Sequence, residues 1–351
     1  MLRNLYERLN YLRNLEDKKT QVLASIEEQG KLTEELKKQI LAAQTLVVVE
    51  DLYRPYRPKR RTRATIAKEK GLEPLANIIL LQMTDKSLEE EARAFLSEEK
   101  EVGTVEDAIA GAKDIVAESI SDEADYRIRI RDMTVKKGRV ISAAKNPKEQ
   151  SVYEMYYEYE EPIAKVAGHR VLALNRGEKE KILTVKIEAP TEDVIRYLEK
   201  QVITRSNPNT TPVLKDVVED SYSRLIGPAI EREIRNDMTE KAEDGAIKVF
   251  KKNLEQLLMQ PPIVGQVVLG WDPAFRTGCK LAVVDPTGKV LDTVVVYPTA
   301  PTTPAKIAAA KETLKKLIKK YGITLISLGN GTASRESEQV IVELLKEIPE
   351  K

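Results

Sequence analysis

Asp272 is the carboxylate whose place in the sequence is most suggestive of chemistry, because it ends an apolar run and begins a turn. The run Val267-Val268-Leu269 predicts a strand, and Pro273 stops regular pairing directly after the aspartate. Asp272 is therefore predicted to lie at the carboxyl end of that strand, where its oxygens can hold a divalent cation. Cleavage of a phosphodiester needs several such carboxylates around two metal ions about 3.5–4 Å apart.

A single aspartate does not make such a site. The nearest further candidate is Glu336, which belongs to a helix predicted later in the chain. In the alternative interpretation, Asp272 caps its own turn and accepts hydrogen bonds from the backbone around Thr277 and Gly278. The sequence favours this second interpretation, so no metal ligand, no catalytic residue and no cofactor is assigned.

A second candidate site is the turn Gly329-Asn330-Gly331-Thr332-Ala333-Ser334, which leads into the last predicted helix. A glycine turn before a helix presents free backbone N–H groups to an anion, and the Thr332 and Ser334 hydroxyls are additional donors. A phosphate of a nucleic acid is one ligand that fits. Equally, the segment can be an ordinary strand-to-helix turn in which Ser334 is the N-cap.

A basic segment, residues 53–63, places six cations, two tyrosines and two prolines within eleven residues. The prolines keep it extended and the tyrosines can stack on bases, so contact with a nucleic-acid backbone is one interpretation. In the other, it is a linker whose arginines pair with residues 85–125, where 14 acids accompany only 4 bases. The candidate nucleic-acid contacts of this segment are Arg54, Arg57, Lys59, Arg60, Arg61 and Arg63.

The elements around Asp272 form a recognisable order. Apolar runs predict strands at residues 267–269, 280–285, 289–297 and 323–328, with helical periodicity at 304–321 and after 334. Three antiparallel strands, a helix, a parallel strand and a helix is how the ribonuclease H-like fold begins. We therefore predict that the four strands lie in the order 3-2-1-4, with the first and fourth adjacent and parallel.

Two motifs inside this region, DPAFRTG and LGNGTASRESE, closely resemble the YqgF-like domain of the bacterial Tex family of transcription accessory proteins. Residues 52–76 and 230–250 also resemble Tex, so the resemblance extends over essentially the whole chain. It implies a non-catalytic, nucleic-acid-binding transcription accessory factor, with RNA or DNA held largely through phosphates and the transcription machinery as a possible partner. Arg276 and Arg335, which lie in the two motifs, are further candidate nucleic-acid contacts.

The competing function is a divalent-metal-dependent nuclease of the ribonuclease H-like or Holliday-junction-resolvase type. Enzymes of that fold carry a second carboxylate near the end of the fourth strand, where this sequence has Gly329-Asn330-Gly331. The sequence therefore favours the accessory factor over the nuclease.

The predicted fold class is a mainly α-helical body followed by an incomplete α/β ribonuclease H-like (YqgF-like) domain. The body comprises a Tex N-terminal-like region, residues 1–190, with a small strand-containing part near 138–187, and a helical connecting region, 191–262. The YqgF-like domain occupies 263–351, after Pro261-Pro262. Family members normally carry further modules at both ends, so we expect this chain to be a fragment.

Local signals predict several details of the body. Thr33, Ser87, Thr104 and Ser121 are predicted to start helices, and Pro74 suits a first turn. The β-branched run at 46–49 is predicted to be helical because of its surroundings. Strands are predicted at 138–141 and 182–187, separated in part by a tyrosine-rich helix at 153–159.

Composition excludes several classes of protein. With one cysteine (Cys279) and one histidine (His169), the chain has no intrachain disulfide and lacks the parts for a cysteine or histidine metal cluster. The net charge is only +1, so bulk charge predicts no partner. No run approaches the roughly 18 apolar residues of a membrane span. We expect a cytoplasmic protein.

Overall fold

The computed structural model describes residues 2–58, 61–261, 263–299 and 301–348. The chain divides into two compact units, Met1–Lys252 and Asn253–Lys351. The first is mainly helical and the second combines a sheet with helices, so the predicted fold class is confirmed. The finer division of the body at residue 190 stays a prediction. None of the helices in the described ranges combines the length and apolar character needed to cross a membrane.

Helices dominate the first unit. The α-helices that begin in it are α1 (Leu2–Glu28), α2 (Glu34–Ala42), α3 (Leu46–Tyr53), α4 (Arg63–Glu69), α5 (Glu73–Leu81), α6 (Leu88–Ala92), α7 (Val105–Asp122), α8 (Ala124–Lys137), α9 (Gly168–Lys179), α10 (Thr191–Val202), α11 (Thr211–Asp220) and α12 (Gly227–Leu258). A π-helix, Ser221–Ile226, joins α11 to α12. The prediction that residues 46–49 are helical is confirmed by α3.

Side-chain caps set the start of many of these helices. The hydroxyls of Thr33, Ser87 and Thr104 each accept a backbone N–H three residues ahead, as predicted. Ser121 does not start a helix; it is buried inside α7, and Glu123 precedes α8. Because Ile120 beside it belongs to the core, α7 continues past the predicted cap.

A small antiparallel sheet is inserted among the helices. It consists of β1 (Arg139–Ala144), β2 (Glu158–Pro162) and β3 (Leu183–Glu188) in the order β2-β1-β3. The predicted strands 138–141 and 182–187 correspond to β1 and β3. The predicted tyrosine-rich helix is wrong: a short 3-10 helix, Glu154–Tyr156, leads directly into β2. Residues 158–162 pair with the side of β1 that β3 leaves open, and local periodicity does not reveal this pairing.

The second unit contains β4 (Val268–Asp272), β5 (Cys279–Val284), β6 (Val290–Val296), α13 (Pro304–Tyr321), β7 (Leu325–Leu328) and α14 (Ser334–Glu347). The strand order is β6-β5-β4-β7, with β4 and β7 parallel and the other pairs antiparallel. The predicted order 3-2-1-4 is therefore confirmed.

Alternation along the strands places the core of this unit on one face of the sheet. Leu269, Trp271 and Leu281 are buried there with Leu314 of α13 and Leu344 of α14. Gly270 and Asp272 alternate with these core residues along β4 and therefore lie on the other face. The edge that receives the carboxyl ends of β4, β6 and β7 also receives the start of both helices, and it carries the predicted site residues.

Candidate nucleic-acid interface

Asp272 is the last residue of β4 and is exposed. It lies opposite Lys280 in the antiparallel pairing of β4 with β5. In the described part of the chain, no hydrogen bond reaches its carboxylate, so the predicted capping of the turn by Asp272 is absent. Glu336 is exposed in the first turn of α14. The described residues contain no group of three or more His, Cys, Asp or Glu side chains that could hold a metal ion.

Gly329 brings the end of β7 against the end of β4. Its backbone N–H donates to the carbonyl oxygen of Trp271 over 2.8 Å. A Cβ at this position would lie 3.1 Å from Cδ of Pro273 and 3.4 Å from the Trp271 carbonyl oxygen. Such contacts are tight, so a glycine allows the two strand ends to approach. The turn that follows Gly329 therefore lies beside Asp272.

The turn into α14 differs from the predicted geometry. Ser334 is the first helical residue, and the N-cap is Ala333, which has a left-handed backbone with φ 65°. No side chain caps this helix start. Ser334 and Ser337 donate their backbone N–H groups to the carbonyls of Gly331 and Ala333. The N–H groups between them, of Arg335 and Glu336, are left to other acceptors.

The same edge gathers four exposed cations. Arg276 is in the turn between β4 and β5, Lys280 is in β5, Lys306 is in the first turn of α13, and Arg335 is in the first turn of α14. None of the four forms an ion pair with a described residue. The ammonium of Lys306 lies 5.2 Å from the centre of the Tyr297 ring. Lys280 and Lys306 were not among the candidate nucleic-acid contacts predicted from the sequence. Their positions next to a predicted strand start and a predicted helix start could have pointed to them.

Lysines farther along α13 are paired with acids instead. Lys311 lies 2.9 Å from Glu343, and Lys315 lies 2.9 Å from Glu347, both on α14. These hydrogen bonds raise the pKa of each lysine. These lysines join two helices, whereas the edge cations have no acidic partner among the described residues.

In the basic segment, three of the described arginines also meet acids. Arg54 Nε lies 3.4 Å from Asp122, Arg57 lies 3.8 Å from Glu50, and Arg61 lies 2.9 Å from Glu69. Arg54 is partly buried, and this desolvation, followed by the nearby charge of Arg127, lowers its pKa. The Arg54–Asp122 pair is of the kind expected if the segment is a linker.

One further arginine of this segment keeps the alternative open. Arg63 is exposed at the start of α4 and has no ion pair with a described residue. Lys59 and Arg60 lie outside the described residues. Contact of this segment with nucleic acid stays a prediction.

Each of the two compact units contains a match to a known protein family model. Residues 84–250 match the family model described as Tex central region-like, and residues 266–351 match the Tex protein YqgF-like domain. The chain belongs to the Tex family. The YqgF-like match of Tex proteins covers the sheet and helices that carry Asp272, Arg276, Thr332, Ser334 and Arg335.

Similarity to individual Tex relatives extends over nearly the full chain. It is 54% identical over 353 residues to "Uncharacterized protein YdcI" of Bacillus subtilis, covering 100% of this chain and 49% of the relative. It is 38% identical over 356 residues to "Transcriptional accessory protein Tex" of Neisseria gonorrhoeae, covering 99% and 46%. With human "S1 RNA-binding domain-containing protein 1" it shares 30% over 359 residues, covering 98% and 35%. The chain thus spans about half the length of the curated relatives it matches, or less.

Proposed function

We propose that this chain is a non-catalytic, nucleic-acid-binding accessory factor of transcription that contacts phosphates through the edge of its YqgF-like unit. The observation that carries the proposal is the set of four exposed edge cations without an acidic partner among the described residues. Cations that neutralise phosphates release counterions, which is the main source of sequence-independent affinity. A cation that is already paired, such as Lys311, must first break its ion pair with an acid before it can contact a phosphate.

The start of α14 fits the same role. Its first-turn N–H groups lack a side-chain cap, and the helix dipole favours an anion there. The hydroxyls of Thr332 and Ser334 lie in the turn and the first helical position, and Arg335 follows. In this proposal, the start of α14 positions one phosphate, and Arg276, Lys280 and Lys306 contact the neighbouring phosphates. Contacts of this kind read no bases, so RNA and DNA of any sequence are candidates.

The names of two relatives support this class of function. One is called a transcriptional accessory protein and another an S1 RNA-binding domain-containing protein. We propose that this chain, like these relatives, binds nucleic acid in connection with transcription. The transcription machinery as a partner and a location in the cytoplasm belong to the same proposal.

The nuclease alternative is supported only by Asp272, which occupies the place of a metal-holding carboxylate. Two-metal cleavage needs more acids at that point. Beside Asp272, the end of β7 presents Gly329 and Asn330, and Glu336 is separated from them by the turn into α14. We therefore assign Asp272 no catalytic role.

A matched pair of triple variants tests the proposed interface. Arg276→Ala, Lys280→Ala and Arg335→Ala remove three cations that have no ion pair with a described residue. Lys311→Ala, Lys315→Ala and Lys320→Ala remove three that are paired with acids. Binding to a duplex DNA and to a single-stranded RNA is measured by fluorescence anisotropy at several salt concentrations. On duplex DNA each lost phosphate contact flattens the plot of log affinity against log salt by about 0.9.

We expect the edge variant to flatten the slope by about 2.7 on duplex DNA, and the control variant to leave it within error. Circular dichroism confirms that both variants are folded. An edge variant that binds like the wild type, or a wild-type chain that binds neither nucleic acid, contradicts the proposal.

A further inference from the structure

Two adjoining cavities form a groove on the helical unit. The first, of about 350 Å³, lies between α8, β3 and the start of α12. The second, of about 580 Å³, lies beside α10 and the end of α11. Thr191, Tyr222 and Ser223 line both cavities, so the two are continuous. Every residue that lines the groove belongs to the described part of the chain.

The lining of this groove is acidic. Two bases, Lys186 and Arg196, face five acids, which are Glu188, Glu192, Glu199, Glu219 and Glu231. None of these five carboxylates forms an ion pair with a residue that the structure describes. Arg196 is 3.9 Å from Asp193, which does not line the groove. A concave surface with one excess sign of charge concentrates its field and attracts the opposite charge. We call this surface the acidic groove.

Glu231 is held in place inside the first cavity. Its Oε1 accepts a hydrogen bond from the backbone N–H of Ile187 over 2.9 Å. Within the described ranges, no donor reaches its second oxygen. Ile130, Ile187 and Ile230, all buried, line the same cavity. A lysine or arginine can pack its methylene stem on such an apolar wall while its charged end meets the carboxylate.

The acids of the second cavity are spaced along α10. Glu192 and Glu199 are two helical turns apart, which is about 10 Å along the helix axis. Residues i and i+3 of an extended segment are also about 10 Å apart. Two cations at that spacing in one extended segment can therefore meet both carboxylates.

We propose that the acidic groove is a docking site for a short basic segment of a protein partner. Two cations of that segment, three residues apart, meet Glu192 and Glu199, and a further lysine or arginine enters the first cavity to reach Glu231. Opposite charges across an interface increase the rate of encounter and select the partner. The site is separate from the proposed nucleic-acid interface and does not depend on it.

Other occupants fit the acidic groove less well. The described residues include no group of three or more acids that could hold a metal ion, so these carboxylates are spread out rather than convergent. A nucleic-acid strand would bring phosphates against five acids, which repel them. A segment that carries several separated positive charges matches the spread of the carboxylates.

Selection from a random 12-residue peptide library displayed on phage, with the full 351-residue chain as bait, tests the proposal. A groove variant combines Glu192→Gln, Glu199→Gln and Glu231→Gln, and the new amide at 231 keeps an acceptor for Ile187. A control variant removes as many charges from exposed acids that do not line the groove: Glu28→Gln, Glu99→Gln and Glu106→Gln. The affinity of synthesised selected peptides for the three proteins is measured by fluorescence anisotropy, and urea unfolding compares their stability.

We expect the selected peptides to share basic residues three positions apart. Their affinity should fall about tenfold or more with the groove variant and stay unchanged with the control variant, because only the first removes the partner charges. Citrulline, which keeps the shape of arginine without its charge, should cause a similar loss when it replaces the basic residues of the peptide.

Three results would overturn the proposal: no enriched peptide, selected peptides without basic residues, or an equal loss of affinity in the groove and control variants. The last would mean that the peptides respond only to the overall charge. If the groove variant is less stable than the wild type, Glu192→Gln with Glu199→Gln is measured in its place, since this pair leaves the hydrogen bond to Ile187 untouched. The Arg276, Lys280 and Arg335 triple variant should bind the peptides like the wild type, which keeps this test independent of the nucleic-acid interface.

Discussion

Arg127 of α8 donates from Nε to Oδ1 of Asp51 on α3 over 2.8 Å, and both side chains are almost completely buried. Arg131 and Glu233 complete a group of two arginines and two carboxylates. Helices α1 to α3 pack around an apolar cluster of their own, apart from the main core of the helical unit. The buried charges therefore join two apolar clusters through α3, α8 and α12.

Removal of one partner should be costly. Arg127→Met removes a positive charge that Asp51 and Glu233 need in a buried environment. Breaking a buried ion pair in this way costs about 3–5 kcal/mol. Lys136→Met on the same helix removes an exposed pair with Asp132 and should cost less than about 0.5 kcal/mol. Urea unfolding followed by circular dichroism at 222 nm measures both. Equal losses in the two variants would show that the buried group is not a stabilising connection.

Stability should depend on pH through Glu178. A hydrogen bond from Arg235 is the main reason why the pKa of this carboxyl is below its ordinary 4.5. A depressed folded-state pKa means that the contribution is complete above pH 4.5 and is lost as the pH falls through the folded value. At pH 7, Glu178→Gln should cost roughly 1.5 kcal/mol, the low end for a charged hydrogen bond, because the pair is partly exposed.

That cost should shrink as the pH is lowered from 6 to 3, which urea unfolding at each pH can measure. Glu192→Gln is the control, since Glu192 has no ion pair with a described residue. A constant difference between wild type and Glu178→Gln over this range would contradict the assignment.

Gly278 should tolerate a side chain less well than Gly288. Both have positive φ, 79° and 91°, so alanine at either position costs roughly 1 kcal/mol in backbone strain. At Gly278 the new Cβ would also lie 2.8 to 2.9 Å from Val295 and the Tyr297 ring, whereas Gly288 has open space. Gly278→Ala should therefore destabilise the YqgF-like unit by clearly more than Gly288→Ala does.

Tryptophan fluorescence during urea unfolding is the suitable measurement, because the only tryptophan, Trp271, is in the core of this unit. Similar midpoints for the two variants would mean that the Tyr297 ring moves aside at little cost. In that case, Tyr297→Ala would not rescue Gly278→Ala.

The basic segment can be tested through Arg61 and Arg63, which are exposed. If both contact phosphates, the double alanine variant should flatten the salt dependence on duplex DNA by about 1.8. Lys68→Ala with Lys70→Ala removes two cations of the same region that face Glu73 and Glu101. An unchanged slope together with a lower melting temperature would identify the segment as part of the architecture.

Asp272 should be dispensable for any chemistry on nucleic acid. Mg²⁺ and Mn²⁺ should bind more weakly than about 1 mM, because one carboxylate supplies too few ligands. Asp272→Asn should leave nucleic-acid affinity unchanged or slightly improved, since it removes a negative charge beside Lys280. Metal-dependent cleavage of single-stranded or branched substrates by the wild type, abolished by Asp272→Asn, would establish the nuclease alternative.

Much of this protein follows from local sequence alone. Thr33, Ser87 and Thr104 start helices because each hydroxyl accepts a hydrogen bond from the backbone N–H three residues ahead. This interaction is local and does not depend on residues far away in the chain. The strand order around Asp272 follows from apolar runs and connection lengths, since the helix between β6 and β7 allows a parallel return to β4. Family motifs lie on these same local elements.

Only the tertiary structure decided which cations are paired with acids and which are exposed for contact with a phosphate. Lys311 and Arg335 look alike in the sequence, but α14 supplies Glu343 to Lys311 and leaves Arg335 without an acid in the described part of the chain. Similarly, residues 153–159 have tyrosines at helical spacing, yet the edge of β1 draws part of them into a strand. Ion pairing and strand pairing join residues far apart in the chain, so neither is encoded in local spacing. The candidate interface is for that reason a property of the fold.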